Sequence, residues 1–495
     1  MSLWTLGEYF AVVLFYESKP EDGSLQLEES LARILVDFYP LAGRFINNYS
    51  SIDCCDEGAE LVEAEALDVE LIELVAKMEL DQLDNLLPDQ HEAPDIPILS
   101  IQITRFSCGG AAVAISVSHK IFDGSSLATF VAAWTDATNP DHAKRVICPS
   151  FHLPSLLPSV IRNDNPAPAP APGSGHKLAL KRLSFNKEAL TSLKSRISRT
   201  NGKPLSGARV VSAVLAEAQF RLDRAKHGRS RSCVVYQTAN MRERSIPPQP
   251  RHTCGNFWAL TMTPPTDEVD VNQLVRVLGD SIRDAIARHA EILSPDCNDG
   301  HDMYTNIIEN YFRHMCDPEI TALSISDWSR FGFHEADFGW GKPVSTSNRF
   351  WKATNNFVVL MSDKSGDGIE AWLYLNQHEA LLILSGLVEG VVAVDAAAGS
   401  NGLLGVAAPL GYGGGQLFLL DLENWCRDEG FADLEISPYA RGSSSESEME
   451  DGDSGKGAEM EDGGWQVRRR MDLDESKMED GNSGKGAEME DGGWR

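Results

Sequence analysis

Residues 111–118, Ala-Ala-Val-Ala-Ile-Ser-Val-Ser, form an alternating, β-prone run that ends on His119-Lys120-Ile121-Phe122-Asp123-Gly124. Residues 98–106 make a second such run, and Cys108-Gly109-Gly110 between the two is a hairpin signal. Residues 126–133 then read as a helix with a buried face. The chain must therefore fold as a hairpin whose second strand delivers a histidine at its end. A carboxylate lies four positions further on, and a glycine follows at the point where a helix starts. Far downstream stands a second unusual stretch, Asp337-Phe338-Gly339-Trp340-Gly341-Lys342-Pro343.

A chain of 495 residues, 42% of them hydrophobic, has ample apolar material for sizeable cores. At about 150 residues per domain it should form two to four of them. The formal charge of -29 argues against nucleic acid or an anionic membrane as partner, because phosphate recognition needs a basic face. Nine cysteines, Cys54, Cys55, Cys108, Cys148, Cys233, Cys254, Cys297, Cys316 and Cys426, are odd in number, scattered, and include no C-x-x-C pair. That pattern offers neither a zinc ribbon nor a disulfide scaffold and fits reduced thiols in the cytoplasm. Residues 1–16 are apolar but carry Glu8 and lack a basic start, so they do not read as a signal peptide. The nearest approach to a membrane span, residues 380–398, is broken by Glu389, Asp395 and two glycines.

Along the chain, Leu27, Leu31, Ile34, Leu35 and Phe38 recur at helical spacing until Pro40. Residues 178–185 and 232–239 read as strands, 210–224 and 269–293 as helices. The segment 151–177 contains Pro166-Ala167-Pro168-Ala169-Pro170-Ala171-Pro172 and should be an extended crossover between domains at 1–150 and 178–395. Residues 396–495 form an extension. Its acidic part carries near-copies at 449–465 and 478–494, whose composition cannot bury enough surface to offset chain entropy.

A histidine at the end of a buried strand suits proton abstraction near neutral pH. No G-x-S-x-G elbow is present, so a covalent serine intermediate is not indicated. Asp123 admits two readings: it orients His119 as in a catalytic triad, or it serves the loop structurally. Gly124 supplies a conformation or clearance that a Cβ would deny. Gly339 and Gly341 flank Trp340 in what should be a tight loop around an aromatic anchor. Ser454-Gly455-Lys456-Gly457 lacks the spacing of a P-loop. The remaining histidines show no i, i+4 pair, so no metal site is expected.

The two signatures, in this order and at this distance, resemble the plant BAHD acyltransferases, in wording closest to the branch that contains vinorine synthase. Further matching segments are Phe38-Tyr39-Pro40-Leu41-Ala42-Gly43-Arg44, Val210-Val211-Ser212-Ala213, residues 240–244, Gly255-Asn256, Trp328-Ser329-Arg330-Phe331 and residues 366–372. The resemblance implies an α/β fold of two chloramphenicol-acetyltransferase-like domains, each a mixed sheet with helices; the acidic tail beyond them, foreign to the family, should be disordered by its composition. The resemblance also implies transfer of an acyl group, acetyl by the branch, from acyl-CoA to a hydroxyl of an alkaloid or terpenoid. His119 would be the general base of a monomeric, cytoplasmic enzyme with no permanently bound cofactor. The same resemblance turns Asp123 away from His119 and pairs it with Arg242. Asp337, Gly339, Trp340 and Gly341 become structural, and Ser345, Asn348 and Arg349 become contacts for coenzyme A. Family members carry a strand ahead of the segment matching residues 12–16, where residues 1–10 stand here. Loss of that strand would open a sheet edge. Two alternative readings accompany this one: a catalytically defective acyl-CoA-binding relative, and a protein that binds partners through its repetitive tail.

Overall fold

In the computed structural model the described residues are 9–20, 23–46, 51–88, 96–139, 147–153, 177–197, 204–266, 270–294, 296–297, 299–351, 353–377, 393–396, 404–407 and 465–469. The strands in chain order are β1 (Tyr9–Tyr16), β2 (Arg44–Ile46), β3 (Ser51–Asp53), β4 (Glu60–Ala66), β5 (Leu99–Phe106), β6 (Ala111–Ser118), β7 (Leu178–Phe185) and β8 (Ser232–Asn240). They continue with β9 (Trp258–Met262), β10 (Ile320–Asp327), β11 (Ser345–Phe350), β12 (Phe357–Ser362), β13 (Ile369–Asn376), β14 (Ala393–Ala396), β15 (Leu404–Ala407) and β16 (Trp465–Arg469). The helices are α1 (Gly23–Leu35), α2 (Leu71–Lys77), α3 (Leu80–Asp84), α4 (Gly124–Thr138), α5 (Lys187–Arg196), α6 (Gly207–His227), α7 (Val271–Ile292) and α8 (Gly300–Cys316).

Two large mixed sheets organise these elements. The first runs β11-β1-β6-β5-β4-β16 and the second β14-β15-β7-β13-β12-β10-β8-β9, with β2 and β3 as a separate ladder. β1 is apolar at nearly every position, and residues 10 to 15 are fully buried, which is what a strand covered on both faces requires. It pairs antiparallel with β6 on one side and β11 on the other, with Tyr9 opposite Ser118 and Phe10 opposite Phe350. β1 is thus an interior strand, and among the described residues the sheet's edges are β11 and β16.

β11 lies beyond the crossover in sequence but belongs to the first sheet, and Trp328, Phe333 and Phe338 enter the same core. The second half of the chain thus reaches back into the first body. There α1 buries Leu27, Leu31, Ile34 and Leu35. It meets α4 through Ser30, whose hydroxyl accepts from Trp134 Nε1 at 3.0 Å and from Thr138 Oγ1 at 2.8 Å.

The second sheet carries helices on both faces. In β8, Cys233 and Val235 join Val210, Val214, Leu274 and Leu278 of α6 and α7. The alternate residues Val234 and Tyr236 pack instead with Tyr311 and Met315 of α8. α6 is bounded by its own chemistry: the Ser206 hydroxyl accepts from Arg209 N, and Gly228 closes the helix at φ +64°.

Within 396–495 the described backbone is confined to the end of β14 and to β15 and β16; β15 runs parallel to β7 and β16 antiparallel to β4. Trp465-Gln466-Val467-Arg468-Arg469 alternates apolar and polar residues, unlike the acidic repeats, and Arg468 stands opposite Glu63 in register. Residues 154–176 of the crossover and both repeats, apart from Trp465, lie outside the described residues. Among the described residues the eight cysteines form no disulfide, no helix is long and apolar enough to cross a membrane, and no cluster of three metal-ligating side chains occurs.

Candidate active site

His119 stands one residue past the β1–β6 ladder. Its orientation follows from Asn256. The Asn256 Nδ2 donates to the His119 backbone carbonyl at 2.6 Å, and a carbonyl can only accept, so the amide oxygen must be the atom facing the ring. That oxygen lies 3.1 Å from His119 Nδ1, and Trp258 Nε1 lies 3.4 Å from the same oxygen. Nδ1 therefore carries the proton in the neutral ring, and Nε2 is the basic nitrogen. His119 is half-buried, with Phe10 and Asn256 packed against the imidazole. That burial lowers its pKa from the ordinary 6.5, against the opposing pull of backbone carbonyls, Asp123 and Asn256.

Asp123 is the N-cap of α4. Its Oδ1 accepts from Ser126 N and from Ser126 Oγ, each at 2.8 Å. Arg242 binds both carboxylate oxygens, Nη1 to Oδ2 and Nη2 to Oδ1, each at 2.9 Å, and Phe257 N donates to Oδ2 at 3.1 Å. Burial works to raise the Asp123 pKa, but the Arg242 charge and the Arg242 and Ser126 hydrogen bonds outweigh it and hold the carboxyl below its usual range. The remaining donors of Arg242 go to the carbonyls of Thr253 and Gly255, to Ser126 Oγ and to Asn240 Oδ1. Gly255, at φ +130°, closes the arrangement: its N donates to Ser126 Oγ at 2.9 Å. Gly124 has a different reason. A Cβ there would lie 2.8 Å from Phe331 Cε2 and from Trp328 Nε1, so the aromatic rings occupy the space a side chain would need.

The second signature sits elsewhere. Asp337 Oδ1 accepts from Gly339 N at 2.8 Å and Gly341 N at 3.0 Å, and both glycines adopt φ +94°. Trp340 packs edge-on against Tyr16, 5.4 Å between centroids, and its indole nitrogen donates to Gln26 Oε1 at 3.3 Å. Tyr16 closes one end of β1, whereas Phe10, beside His119, lies near the other. At about 3.3 Å per residue the two signatures are roughly 20 Å apart. The structure does not bring Trp340 to the histidine.

Ser345, Asn348 and Arg349 all lie on β11, at register positions opposite Phe15, Val12 and Ala11. Each side chain has protein partners. Ser345 Oγ accepts from Arg182 Nη1 at 3.2 Å. Asn348 is fully buried and accepts at Oδ1 from Tyr374 OH at 3.2 Å. Arg349 binds Asp84 through Nε and Nη2, at 2.5 and 3.0 Å. The side chain with the most direct hold on His119, Asn256, carried no role from sequence alone. Its only signal was the Gly255-Asn256 dipeptide among the segments that match the family. Phe10, whose ring centroid is 4.6 Å from that of His119, gave no signal beyond its apolarity.

With this geometry in place, the comparisons fix the class. Residues 6–384 match the model of the transferase family. A malonyltransferase of Salvia splendens, named for acting on pelargonidin 3-O-(6-caffeoylglucoside) 5-O-(6-O-malonylglucoside), is 44% identical over 380 residues, 75% of this chain and 88% of that protein. Stemmadenine O-acetyltransferase of Catharanthus roseus is 32% identical over 402 residues, 76% of this chain and 88% of that protein. The crystal structure of vinorine synthase superposes with a TM-score of 0.66 at 31% identity, covering 78% of this chain and 91% of the other. The chain belongs to the BAHD acyltransferase family. It is an acyl-CoA-dependent acyltransferase acting on plant metabolites, with acyl-CoA as co-substrate.

Proposed function

We propose that His119 is the general base for transfer of an acetyl group from acetyl-CoA to a hydroxyl of an alkaloid or terpenoid. The supporting observation is the Asn256 clamp, which keeps the proton on Nδ1 and makes Nε2 the acceptor. In this reading Nε2 takes the proton of the acceptor hydroxyl as its oxygen attacks the thioester carbonyl. The tetrahedral oxyanion then collapses, the carbon–sulfur bond breaks, and the departing thiolate of coenzyme A receives the proton from the imidazolium. Asp123, Gly124 and Arg242 hold the loop; Asp337, Gly339, Trp340 and Gly341 hold β1 from its far end. Contact of coenzyme A with Ser345 and Arg349 would compete with Arg182 and Asp84 for those side chains. We place the enzyme in the cytoplasm as a monomer.

A malonyl donor is the second reading, favoured by the 44% identity to the Salvia splendens malonyltransferase. A malonyl carboxylate needs a cation. Arg242 is fully engaged with Asp123 and neighbouring acceptors, so another side chain would have to supply it.

The test is release of free thiol by purified protein given acetyl-CoA or malonyl-CoA and a panel of plant alcohols. His119→Ala should lower kcat by about 10²- to 10⁴-fold with its melting temperature held near that of the wild type. A folded alanine variant with full activity would refute the assignment. Faster turnover of malonyl-CoA would select the second donor.

A further inference from the structure

His119 is held on two sides by different kinds of contact. Asn256 fixes its Nδ1 edge. The other contact is aromatic. Phe10, on β1, presents its ring to the imidazole at 4.6 Å between centroids and an interplanar angle of 47°. Phe10 is itself immobilised. It stacks on Phe350 at 5.6 Å and 15°, and meets Trp328 at 5.7 Å and 66°. Trp328 contacts Phe350 in turn, at 5.5 Å, and its indole nitrogen is anchored to Ser326 Oγ at 3.1 Å. The other flank of Trp328 lies against Gly124. The rings therefore come from β1, from β11 and from the segment after β10, and Phe10 is fully buried among them.

We infer that Phe10 is a positioning residue for the acyl transfer: its anchored ring wall keeps water off one face of His119 and fixes the plane in which Nε2 meets the acceptor hydroxyl. This rests on His119 being the base. Two effects of the ring on the imidazolium oppose each other. Exclusion of water by the surrounding protein disfavours the charged form and is the largest influence on the His119 pKa. Attraction of a cation to the ring face favours it by roughly 0.5–1.5 pH units. Exclusion of water is the larger, so the ring's net effect is to keep His119 neutral.

The ionisable groups packed around His119 do not mimic this behaviour. Asp123, beside it on the same loop, is locked to Arg242 and held below its usual range. The Cys254 thiol, near that pair, is pushed up to about 12 by burial. On the Phe10 side the neighbours are Trp328 and Phe350, and Arg349 beyond them is tied to Asp84. Lys120, next in sequence, places its Nζ over the ring of Phe45 at 5.6 Å.

The experiment is the pH dependence of kcat/KM in the full-length enzyme and its Phe10 variants. The wild-type acid limb should fall below 6.5, since burial lowers the His119 pKa. Phe10→Ala should move that limb up by about half a pH unit or more. Its activity loss should be larger at pH 6 than at pH 8. Phe10→Leu, which restores an apolar wall, should return the limb towards its wild-type position. If Phe10→Ala does not fold, Phe10→Val, a shorter wall on the same strand, should shift the limb in the same direction. A folded variant whose limb stays in place, with kcat reduced equally at every pH, would reduce Phe10 to packing and overturn the inference. The His119→Ala variant separates the two failures. If it remains active, the base assignment itself is wrong. If it is dead while the limb of the Phe10 variants does not move, only the role of Phe10 is wrong.

Discussion

Replacing Arg242 with methionine isolates what the ion pair does. The guanidinium and the Asp123 carboxylate are both buried and bound through two hydrogen bonds of 2.9 Å. Methionine fills a similar volume and leaves the carboxylate in a dry site with the Ser126 and Phe257 donors only. Breaking such a pair from one side costs about 3–5 kcal/mol. That is a fifth or more of the stability of a typical domain, about 5–15 kcal/mol. The pH dependence supplies a sharper test. In the wild type the Asp123 pKa is depressed, so its contribution is fully present above the unfolded value near 3.8 and is lost as pH falls through the folded pKa. Without Arg242 the largest remaining influence is burial, which raises the folded pKa above the unfolded one. The buried charge then penalises folding near neutrality, and protonation relieves the penalty as pH falls. Arg242→Met should therefore lie furthest below the wild type at pH 7 and approach it by pH 5. The assay is urea denaturation followed by tryptophan fluorescence at both pH values. A loss under about 1 kcal/mol, the worth of an exposed pair, or a deficit that does not change with pH, would refute the reasoning.

Two further substitutions separate the signatures. Gly124→Ala places a Cβ 2.8 Å from the rings of Trp328 and Phe331. It should cost about 1–3 kcal/mol through overpacking and lower kcat as Trp328 shifts, measurable as a fall in melting temperature together with slower thiol release. Gly339→Ala meets open space, its nearest neighbour Gln26 Nε2 being 3.8 Å away, but must hold φ +94°. It should cost about 1–2 kcal/mol in thermal stability and leave kcat unchanged, because the loop is remote from His119.

The sequence displays local structure well and long-range partnership poorly. The hairpin of β5 and β6 was legible because both strands alternate and Gly109, at φ +89°, marks the turn between them. α1 was legible from Leu27, Leu31 and Ile34, although the chain leaves the helix at Leu35, before the Pro40 stop. The place of β1 in the first sheet was not. A fully apolar strand has no periodicity to distinguish it, and its neighbours β6 and β11 lie about a hundred and more than three hundred positions away. Asn256 escaped for a related reason. One polar residue before a short strand carries no local pattern, and its meaning appears only when residue 119 is folded against it. β16 was hidden by its acidic surroundings, since five residues in a polar tail contribute nothing until β4 offers an edge.

Asp123 gives its carboxylate oxygens to Ser126, Arg242 and Phe257, and it governs the imidazole one step removed. Asn256 lies between Gly255 and Phe257. Gly255 is bonded through its carbonyl to Arg242 and through its N to Ser126, and Phe257 donates its N to Asp123 Oδ2. Both backbone neighbours of Asn256 are thus pinned to the Asp123 cap or to the arginine paired with it. The Asn256 amide in turn sets which nitrogen of His119 holds the proton. The relay reading and the structural reading of Asp123 therefore describe one chain of contacts. The carboxylate fixes the backbone that carries Asn256, the group hydrogen-bonded to the imidazole. A buried pair is about as stable as a well-packed apolar substitute, so its value here is geometric. Two parallel hydrogen bonds allow only one relative placement of α4 and the 240–257 segment, and an apolar contact would tolerate many.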